Sequence, residues 1–172
     1  SRFYNRAFFI EPGGDEVYYD KRHLFSISPE NKLLQAGRER CPVIRFRGWN
    51  VSLAVCYDIR FPVWCRNVGM LYEVMLVPAN WPEARAYAWK HLLIGRSIEN
   101  EAYYVGANRG GSDDYGRYDN LSFIFDPAGR PVGTSVGETC AITATLDRKL
   151  LEEMRRKLPV GADAENFDIC DL

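Results

Sequence analysis

Residues 53–62 have the sequence LAVCYDIRFP, in which an apolar run meets a helix-starting pattern at a single cysteine. The run that ends here, residues 51–55, consists of small or apolar residues, as in a strand that is covered on both faces. Pro62 suits the first turn of a helix, because its missing N–H needs no partner there. We therefore predict a buried strand that turns into a helix at Cys56.

Strand-like and helical patterns alternate along the rest of the chain. A Pro-Gly-Gly turn between residues 3–10 and 17–19 predicts one β-hairpin, and residues 43–46 and 51–55 predict a second. Further strands are predicted at 73–77 (ending before Pro78), 102–107, 121–125 and 140–146, and helices at 82–100 and 147–158. Because long helices fall between buried strands, the predicted fold class is α/β, with sheet against sheet inside and helices outside.

Composition and charge exclude several classes of protein. The 172 residues, 47% of them hydrophobic, suffice for one domain, and a net charge of −1 gives no reason to expect a nucleic-acid partner. No apolar run approaches the roughly 18–20 residues that span a bilayer, so no membrane partner is predicted. The five cysteines are an odd number without a CxxC pair, which favours free thiols and a cytoplasmic location. His23 and His91 do not pair with cysteines at zinc-ligand spacing, so no metal is predicted.

Cys56 is the candidate nucleophile, because the turn after a buried strand can lift a thiol out of the sheet, as in hydrolase elbows. The backbone N–H of Tyr57 would then be well placed to donate to an oxyanion. The alternative is that Cys56 is a small core residue. The remaining cysteines are predicted to be structural; they are Cys41, Cys65, Cys140 and Cys170.

A second informative segment is residues 19–25, YDKRHLF, directly after a predicted strand. Lys21 or His23 could supply positive charge to a thiolate, and a lysine ammonium can also donate to an oxyanion. The alternative is an ordinary solvated corner.

Taken in order, several motifs resemble the nitrilase or carbon–nitrogen hydrolase superfamily, and in particular its omega-amidase branch. The similarity covers roughly residues 3–168. The motifs are YDKRHLF at 19–25, VCYDIRFP at 55–62, ANWP at 79–82, RSIEN at 96–100, NR at 108–109 and DPxG at 126–129.

The resemblance implies that the chain is a portion of a four-layer α-β-β-α sandwich. Residues 1–172 would form a carbon–nitrogen hydrolase domain that lacks its amino-terminal portion. In the family, the general-base glutamate lies in a Pro-Glu motif upstream of the lysine motif, and no match to it precedes Lys21. We therefore expect that motif in a preceding segment. The resemblance also implies a small-molecule amide substrate, no cofactor, and a homodimer or larger homo-oligomer.

The resemblance further assigns roles to individual residues. Lys21 would be the catalytic lysine and an oxyanion donor, and Cys56 the nucleophile that forms a thioester. Glu30 would be the family's second glutamate, with an exposed loop carboxylate as the alternative. Arg60 is the candidate for binding a substrate carboxylate, or else a structural ion-pair partner, and Trp81 would form an apolar wall.

The implied reaction is hydrolysis of the omega-amide of a 2-oxo acid, such as 2-oxoglutaramate, to the acid and ammonia. Three alternatives stay open: an amidase of the superfamily acting on a carbamoyl amine or a nitrile, a cysteine hydrolase whose base is His23 or His91, and an inactive fragment or pseudoenzyme that serves as an assembly surface. Arg96 and Glu99 are expected to form a structural pair on one helix.

Overall fold

The computed structural model describes residues 2–119, 121–135, 141–165 and 167–170. In this part of the chain, a mixed five-stranded sheet has the strand order β3-β4-β5-β6-β9, and the other strands form two-stranded hairpins. The strands are β1 (Arg6–Ile10), β2 (Glu16–Asp20), β3 (Val43–Phe46), β4 (Trp49–Leu53), β5 (Val74–Ala79), β6 (Tyr103–Asn108), β7 (Ser112–Asp113), β8 (Gly116–Arg117), β9 (Phe123–Phe125), β10 (Thr134–Ser135) and β11 (Ile142–Thr143).

Short helices connect the strands, and two longer ones pack on the sheet. The α-helices are α1 (Glu30–Leu33), α2 (Pro62–Cys65), α3 (Ala86–Glu99), α4 (Arg148–Lys157) and α5 (Val160–Asp163). The 3-10 helices are Cys56–Arg60, Val68–Met70 and Glu83–Arg85. None of the helices in the described residues is long and apolar enough to cross a membrane.

The centre of the sheet is parallel and its edges are antiparallel. Strands β4, β5 and β6 run parallel, while β3 and β9 close the sheet in the opposite direction. The two predicted hairpins are confirmed as β1–β2 and β3–β4. The mixed α/β class predicted from the sequence is therefore confirmed.

The two faces of the sheet have different covers. On one face, Met75, Tyr104 and Phe125 pack against Trp89 and Leu93 of α3. On the opposite face, Leu53 packs with Tyr19 of the β1–β2 hairpin, and Val74 packs with Leu151 of α4. Burial on both faces explains why β5 is a continuous apolar run.

The outer side of the β1–β2 hairpin is apolar and open. Phe8, Ile10 and Tyr18 are 51%, 64% and 52% exposed there. The hairpin thus covers the sheet with one side and exposes apolar area with the other.

The prediction that a strand ends before Pro78 is wrong, because β5 continues to Ala79. The carbonyl of Leu76 accepts from Ala54 N, so the backbone groups of even-numbered residues in β5 face β4. The last registered pair of β4 and β5 is Leu53 with Leu76, so Pro78 lies beyond the paired residues of β4. Proline is tolerated in a strand at such a position.

Other predicted bounds are also corrected, among them the strand predicted at 51–55, which is Trp49–Leu53. The helix predicted at 82–100 begins at Ala86, because Glu83–Arg85 form a separate 3-10 helix and Arg85, with φ −119° and ψ 18°, interrupts the helical geometry between the two. The strand predicted at 121–125 begins at Phe123, since the carbonyl of Leu121 accepts from Trp89 Nε1. Of the strand predicted at 140–146, the structure describes residues 141–146, and among them only Ile142–Thr143 (β11) is a strand; Cys140 lies outside the described residues.

Candidate active site

Cys56 is the first residue of the 3-10 helix Cys56–Arg60 and lies at the sharp turn that follows β4. Its φ of 47° is in the left-handed region, which non-glycine residues adopt at a cost of about 1–3 kcal/mol. Tyr57 is the second residue of that helix, where backbone N–H groups have no intrahelical partner. No acceptor for the Tyr57 N–H lies among the described residues. The turn therefore presents a thiol and a free N–H side by side.

The Asp58 carboxylate stabilises this turn through hydrogen bonds. Its carboxylate is fully buried, and Oδ2 accepts from Val55 N at 3.1 Å and from the Tyr19 hydroxyl at 2.9 Å. The other oxygen, Oδ1, accepts from His23 N at 2.9 Å and contacts His23 Nδ1 at 2.8 Å. A buried carboxylate needs such a set of donors, and removing any of them would leave unsatisfied charge. Asp58 thereby fixes the turn at Cys56 relative to the segment that carries Lys21.

Lys21 and Glu30 form a buried ion pair beside the turn. The Nζ atom of Lys21, which is 3% exposed, lies 2.8 and 2.7 Å from the two carboxylate oxygens of Glu30. Asn5 Nδ2 and the backbone N of Phe25 also donate to Glu30, each at 2.8 Å. Glu30 is therefore not an exposed loop carboxylate, and Lys21 is not part of a solvated corner.

The charges of this pair act on the protonation of the site. Burial by itself would raise the pKa of the Glu30 carboxyl, but the hydrogen bonds from Lys21, Phe25 and Asn5 together lower it. Burial raises the pKa of the Cys56 thiol, and the nearby Lys21 ammonium opposes that rise. Cys56 therefore needs a proton acceptor to become a thiolate near neutral pH, and Glu30 is a weak one because its oxygens are already occupied.

A cavity of about 860 Å³ opens beside Cys56. All six residues predicted for the site line it: Lys21, Glu30, Cys56, Tyr57, Arg60 and Trp81. A volume of this size is within the usual range for small-molecule sites. The structure thus brings together residues that lie up to 60 positions apart in the chain.

Arg60 and Trp81 contact each other on one wall of this cavity. The guanidinium carbon of Arg60 lies 5.0 Å from the Trp81 ring centroid, within the distance of a cation–π contact. No carboxylate pairs with Arg60 among the described residues, so the structure gives no support to an ion-pair role for it. Trp81 is 3% exposed and is anchored by its backbone N, which donates to Asn108 Oδ1 at 2.7 Å.

Neither histidine lines the cavity that the described residues form. His23 is bound to Asp58 and stacks on Phe61 with ring centroids 3.6 Å apart. His91 is exposed and stacks on Tyr87. The arrangement therefore disfavours a histidine general base.

Other predictions concern structural residues. The Arg96–Glu99 pair is confirmed, with Nη1 and Oε2 2.8 Å apart. Cys65 is buried under the site, Cys41 is half-buried and Cys170 is exposed, and none of these three lines the cavity. No group of three or more histidine, cysteine or acidic side chains in the described segments is arranged to hold a metal ion.

The sequence did not point to several residues of the site. Asn5 and Phe25 orient Glu30, and Tyr19 and Asp58 support the turn. An acidic residue two positions after the predicted nucleophile, in an otherwise apolar segment, was the available signal for Asp58. Asn5 carried no signal, because its role depends on how β1 pairs with β2.

Comparisons with known proteins agree with this geometry. The carbon-nitrogen hydrolase family matches residues 1–156. The chain is 42% identical over 165 residues to the omega-amidase YafV of Escherichia coli, covering 95% of this chain and 64% of that protein. It is 34% identical to the 2-oxoglutaramate amidase of Bacillus subtilis, covering 95% of this chain and 63% of that protein. The chain thus spans slightly less than two thirds of the length of these relatives.

A solved structure shows the same architecture. A crystal structure of a CN-hydrolase superfamily protein from Xanthomonas campestris, with an arsenic adduct in its active site, superposes with a TM-score of 0.86 at 37% identity. The match covers 96% of this chain and 65% of that one. On sequence and fold, the chain belongs to the carbon-nitrogen hydrolase family.

Proposed function

We propose that the protein hydrolyses the omega-amide of a small 2-oxo acid, such as 2-oxoglutaramate, to the acid and ammonia through a thioester on Cys56. The observation that carries the proposal is the position of Cys56, on a strained turn in the wall of a cavity that Lys21 and Glu30 also line. The similarity to an omega-amidase and to a 2-oxoglutaramate amidase supports the choice of substrate.

The proposed reaction has two halves. The Cys56 thiolate attacks the amide carbonyl, and the Tyr57 N–H and the Lys21 ammonium stabilise the tetrahedral oxyanion. The C–N bond breaks, ammonia leaves with a proton from the general acid, and the acyl group stays on sulfur. Water then attacks the thioester, which releases the carboxylic acid and returns the proton to the thiol.

Glu30 has a positioning role in this scheme. Because its oxygens accept from Lys21, Asn5 and Phe25, it holds the lysine rather than exchanging protons with Cys56. We place the general base in a glutamate of the family fold that lies outside residues 1–172, since the relatives are longer than this chain. The longer protein is therefore the one to be assayed.

Arg60 and Trp81 form the binding part of the proposal. A 2-oxo acid amide carries a carboxylate at the end opposite the amide, and the Arg60 guanidinium is free to donate to it. Trp81 provides an apolar wall for the methylene groups in between. A homo-oligomeric state and a cytoplasmic location stay predictions.

The test is ammonia release from 2-oxoglutaramate by the full-length protein. We expect Cys56→Ala and Lys21→Ala to abolish turnover and Cys170→Ala, which removes an exposed thiol outside the cavity, to retain it. Wild-type turnover by Cys56→Ala would refute the mechanism. Turnover of a nitrile or a carbamoyl amine in place of 2-oxoglutaramate would keep the cysteine chemistry and refute the substrate.

A further inference from the structure

The cavity wall carries more positive than negative charge. Four cationic side chains line it, Arg6, Lys21, Arg60 and Arg85, and Glu30 is the acidic residue among the described lining residues. The Arg6 guanidinium pairs with Asp20, with Nε 2.7 Å from Oδ1 and Nη2 2.9 Å from Oδ2, and Lys21 pairs with Glu30. The guanidinium groups of Arg60 and Arg85 have neither an ion pair nor a hydrogen bond to any described residue. Two positive charges are therefore left uncompensated in one small-molecule-sized cavity.

Arg85 is held at this cavity from two sides. Its guanidinium carbon lies 5.2 Å from the ring centroid of Phe25, and its backbone carbonyl accepts from Trp81 Nε1 at 2.9 Å. The Trp81 ring also contacts the Arg60 guanidinium, so the same indole contacts both arginines. Phe25, whose ring contacts Arg85, also donates its backbone N–H to Glu30, the carboxylate that pairs with Lys21.

Stacking on an aromatic face orients a guanidinium without using its N–H groups. Arginine has five such donors and no acceptor, and its planar fork matches a carboxylate. Two guanidiniums that contact aromatic rings and have no other partner among the described residues are suited to a ligand with a negatively charged group.

We propose that Arg85 is a specificity-determining residue that acts with Arg60 to select amides carrying a carboxylate over short neutral amides. The inference rests on the proposed amidase function for the identity of the substrate, while the preference of the cavity for anions stands independently of turnover.

The first test measures that anion preference without any turnover. Iodoacetate and iodoacetamide alkylate a thiolate by the same displacement of iodide and differ in charge, so the ratio of their rates at Cys56 cancels changes in the thiol pKa. We expect Arg85→Gln to lower the iodoacetate-to-iodoacetamide ratio at Cys56 by about threefold to tenfold, as for the loss of one nearby charge in a partly exposed site. The ratio at the exposed Cys170, followed by mass spectrometry in the same sample, should not change.

The matched control is Arg117→Gln, which removes an exposed arginine that does not line the cavity. It should leave the ratio at Cys56 as in the wild type. An unchanged ratio in Arg85→Gln, or an equal fall in both variants, would overturn the assignment of Arg85.

The second test uses turnover by the full-length protein. We expect Arg85→Gln to lower kcat/KM for 2-oxoglutaramate by about tenfold, the loss typical of one charge-assisted hydrogen bond, and Arg85→Lys to recover part of it. The kcat/KM for butyramide, a neutral amide, should stay within about twofold of the wild-type value, because it has no group for Arg85 to bind. An equal fall for both amides would overturn the inference.

The outcomes of the two tests separate the two proposals. A wild-type protein that releases no ammonia from any amide but shows the change in alkylation ratio would refute the proposed function and retain Arg85 as an anion-binding residue. A protein that hydrolyses 2-oxoglutaramate with no effect of Arg85→Gln would refute the assignment of Arg85 and retain the function.

Discussion

At the scale of single residues, the Lys21 cation lowers the pKa of two neighbouring acids, the Glu30 carboxyl and the Cys56 thiol. Its ammonium forms an ion pair with Glu30, and it also lowers the pKa of the Cys56 thiol against the larger effect of burial. Glu30 has the opposite influence, since its negative charge raises the pKa of Cys56. The two charges of the pair therefore shift the pKa of Cys56 in opposite directions, on top of the larger effect of burial.

This balance predicts shifts of opposite sign in two variants. Lys21→Met should raise the pKa of the Cys56 thiol, because it removes the stabilising cation, and Glu30→Gln should lower it, because it removes a nearby negative charge. The measurement is the pH dependence of iodoacetamide alkylation at Cys56, with the exposed Cys170 as an internal reference. Shifts in the same direction for both variants would contradict this account.

The residues of the site differ in how visible they are in the sequence. Cys56 and Lys21 could be predicted because each lies in a motif, and the motifs occur in a defined order. The role of Asp58 depends on its complete burial and on donors from Tyr19 and His23, which are about 35 to 39 positions away. Such contacts are set by how the hairpin packs on the sheet, and a linear pattern does not record them.

At the scale of elements, the close packing of α3 on β6 depends on Gly106. A Cβ atom there would lie 2.5 Å from Leu93 Cδ1 and 2.7 Å from Trp89 Cζ2. The Trp89 ring has little freedom to move away, because its Nε1 donates to the Leu121 carbonyl at 2.6 Å. Glycine at this position therefore permits the approach of the helix that covers one face of the sheet.

We expect Gly106→Ala to reduce the free energy of unfolding by about 1–3 kcal/mol, the usual cost of overpacking a core. The matched control is Gly95→Ala in α3, the helix that packs on β6, where a Cβ atom would meet no neighbour within 4 Å. That change should stabilise the protein by about 0.5–1 kcal/mol, because alanine has the higher helix propensity. Denaturant unfolding of both variants measures the difference, and a destabilised Gly95→Ala would indicate that this helix is not packed as described.

The elements also show where sequence patterns stop being informative. Alternation and turn residues located both hairpins and the central strands, while Pro78 suggested an end that the strand does not have. Whether a missing N–H matters depends on the neighbouring strand, and β4 has already ended at that point. The bounds of a strand are in this case set by its partner rather than by its own residues.

At the scale of the whole molecule, several ionisable groups are neutral and lie in the core or, like the half-buried Cys41, pack against it. Burial raises the pKa of the Cys41 thiol to about 12, and it also raises the pKa values of Tyr19, Cys65, Tyr72 and Tyr104. Each of these groups loses its proton at lower pH in the unfolded chain than in the folded one. Their contribution to stability is therefore complete below the unfolded pKa and is lost as the pH rises above it.

The predicted consequence is a loss of stability at alkaline pH. Between the ordinary thiol pKa of 9.0 and about 12, Cys41 should reduce the free energy of unfolding by about 1.4 kcal/mol per pH unit. Cys41→Ala should show a shallower decline than the wild type over this range, measured by denaturant unfolding with a reductant present. Parallel curves for the two proteins would show that Cys41 is not buried as a neutral thiol.

The α/β class and the order of the elements could be predicted for the whole molecule, because they depend on periodicity and on turn residues. The assembly of the cavity could not be predicted in the same way. Its walls come from β1, the 21–30 segment, the turn at Cys56 and the 81–85 segment, and Arg85 had no motif to mark it.

The central claim is that Cys56 carries the acyl group of the substrate during turnover. The most direct measurement is the mass of the Cys56 peptide after acid quenching of the full-length protein with 2-oxoglutaramate. We predict that this peptide gains the mass of the 2-oxoglutaryl group, that hydroxylamine removes it, and that Lys21→Ala prevents its formation. Release of ammonia with no adduct on Cys56, or with the adduct on another residue, would contradict the account.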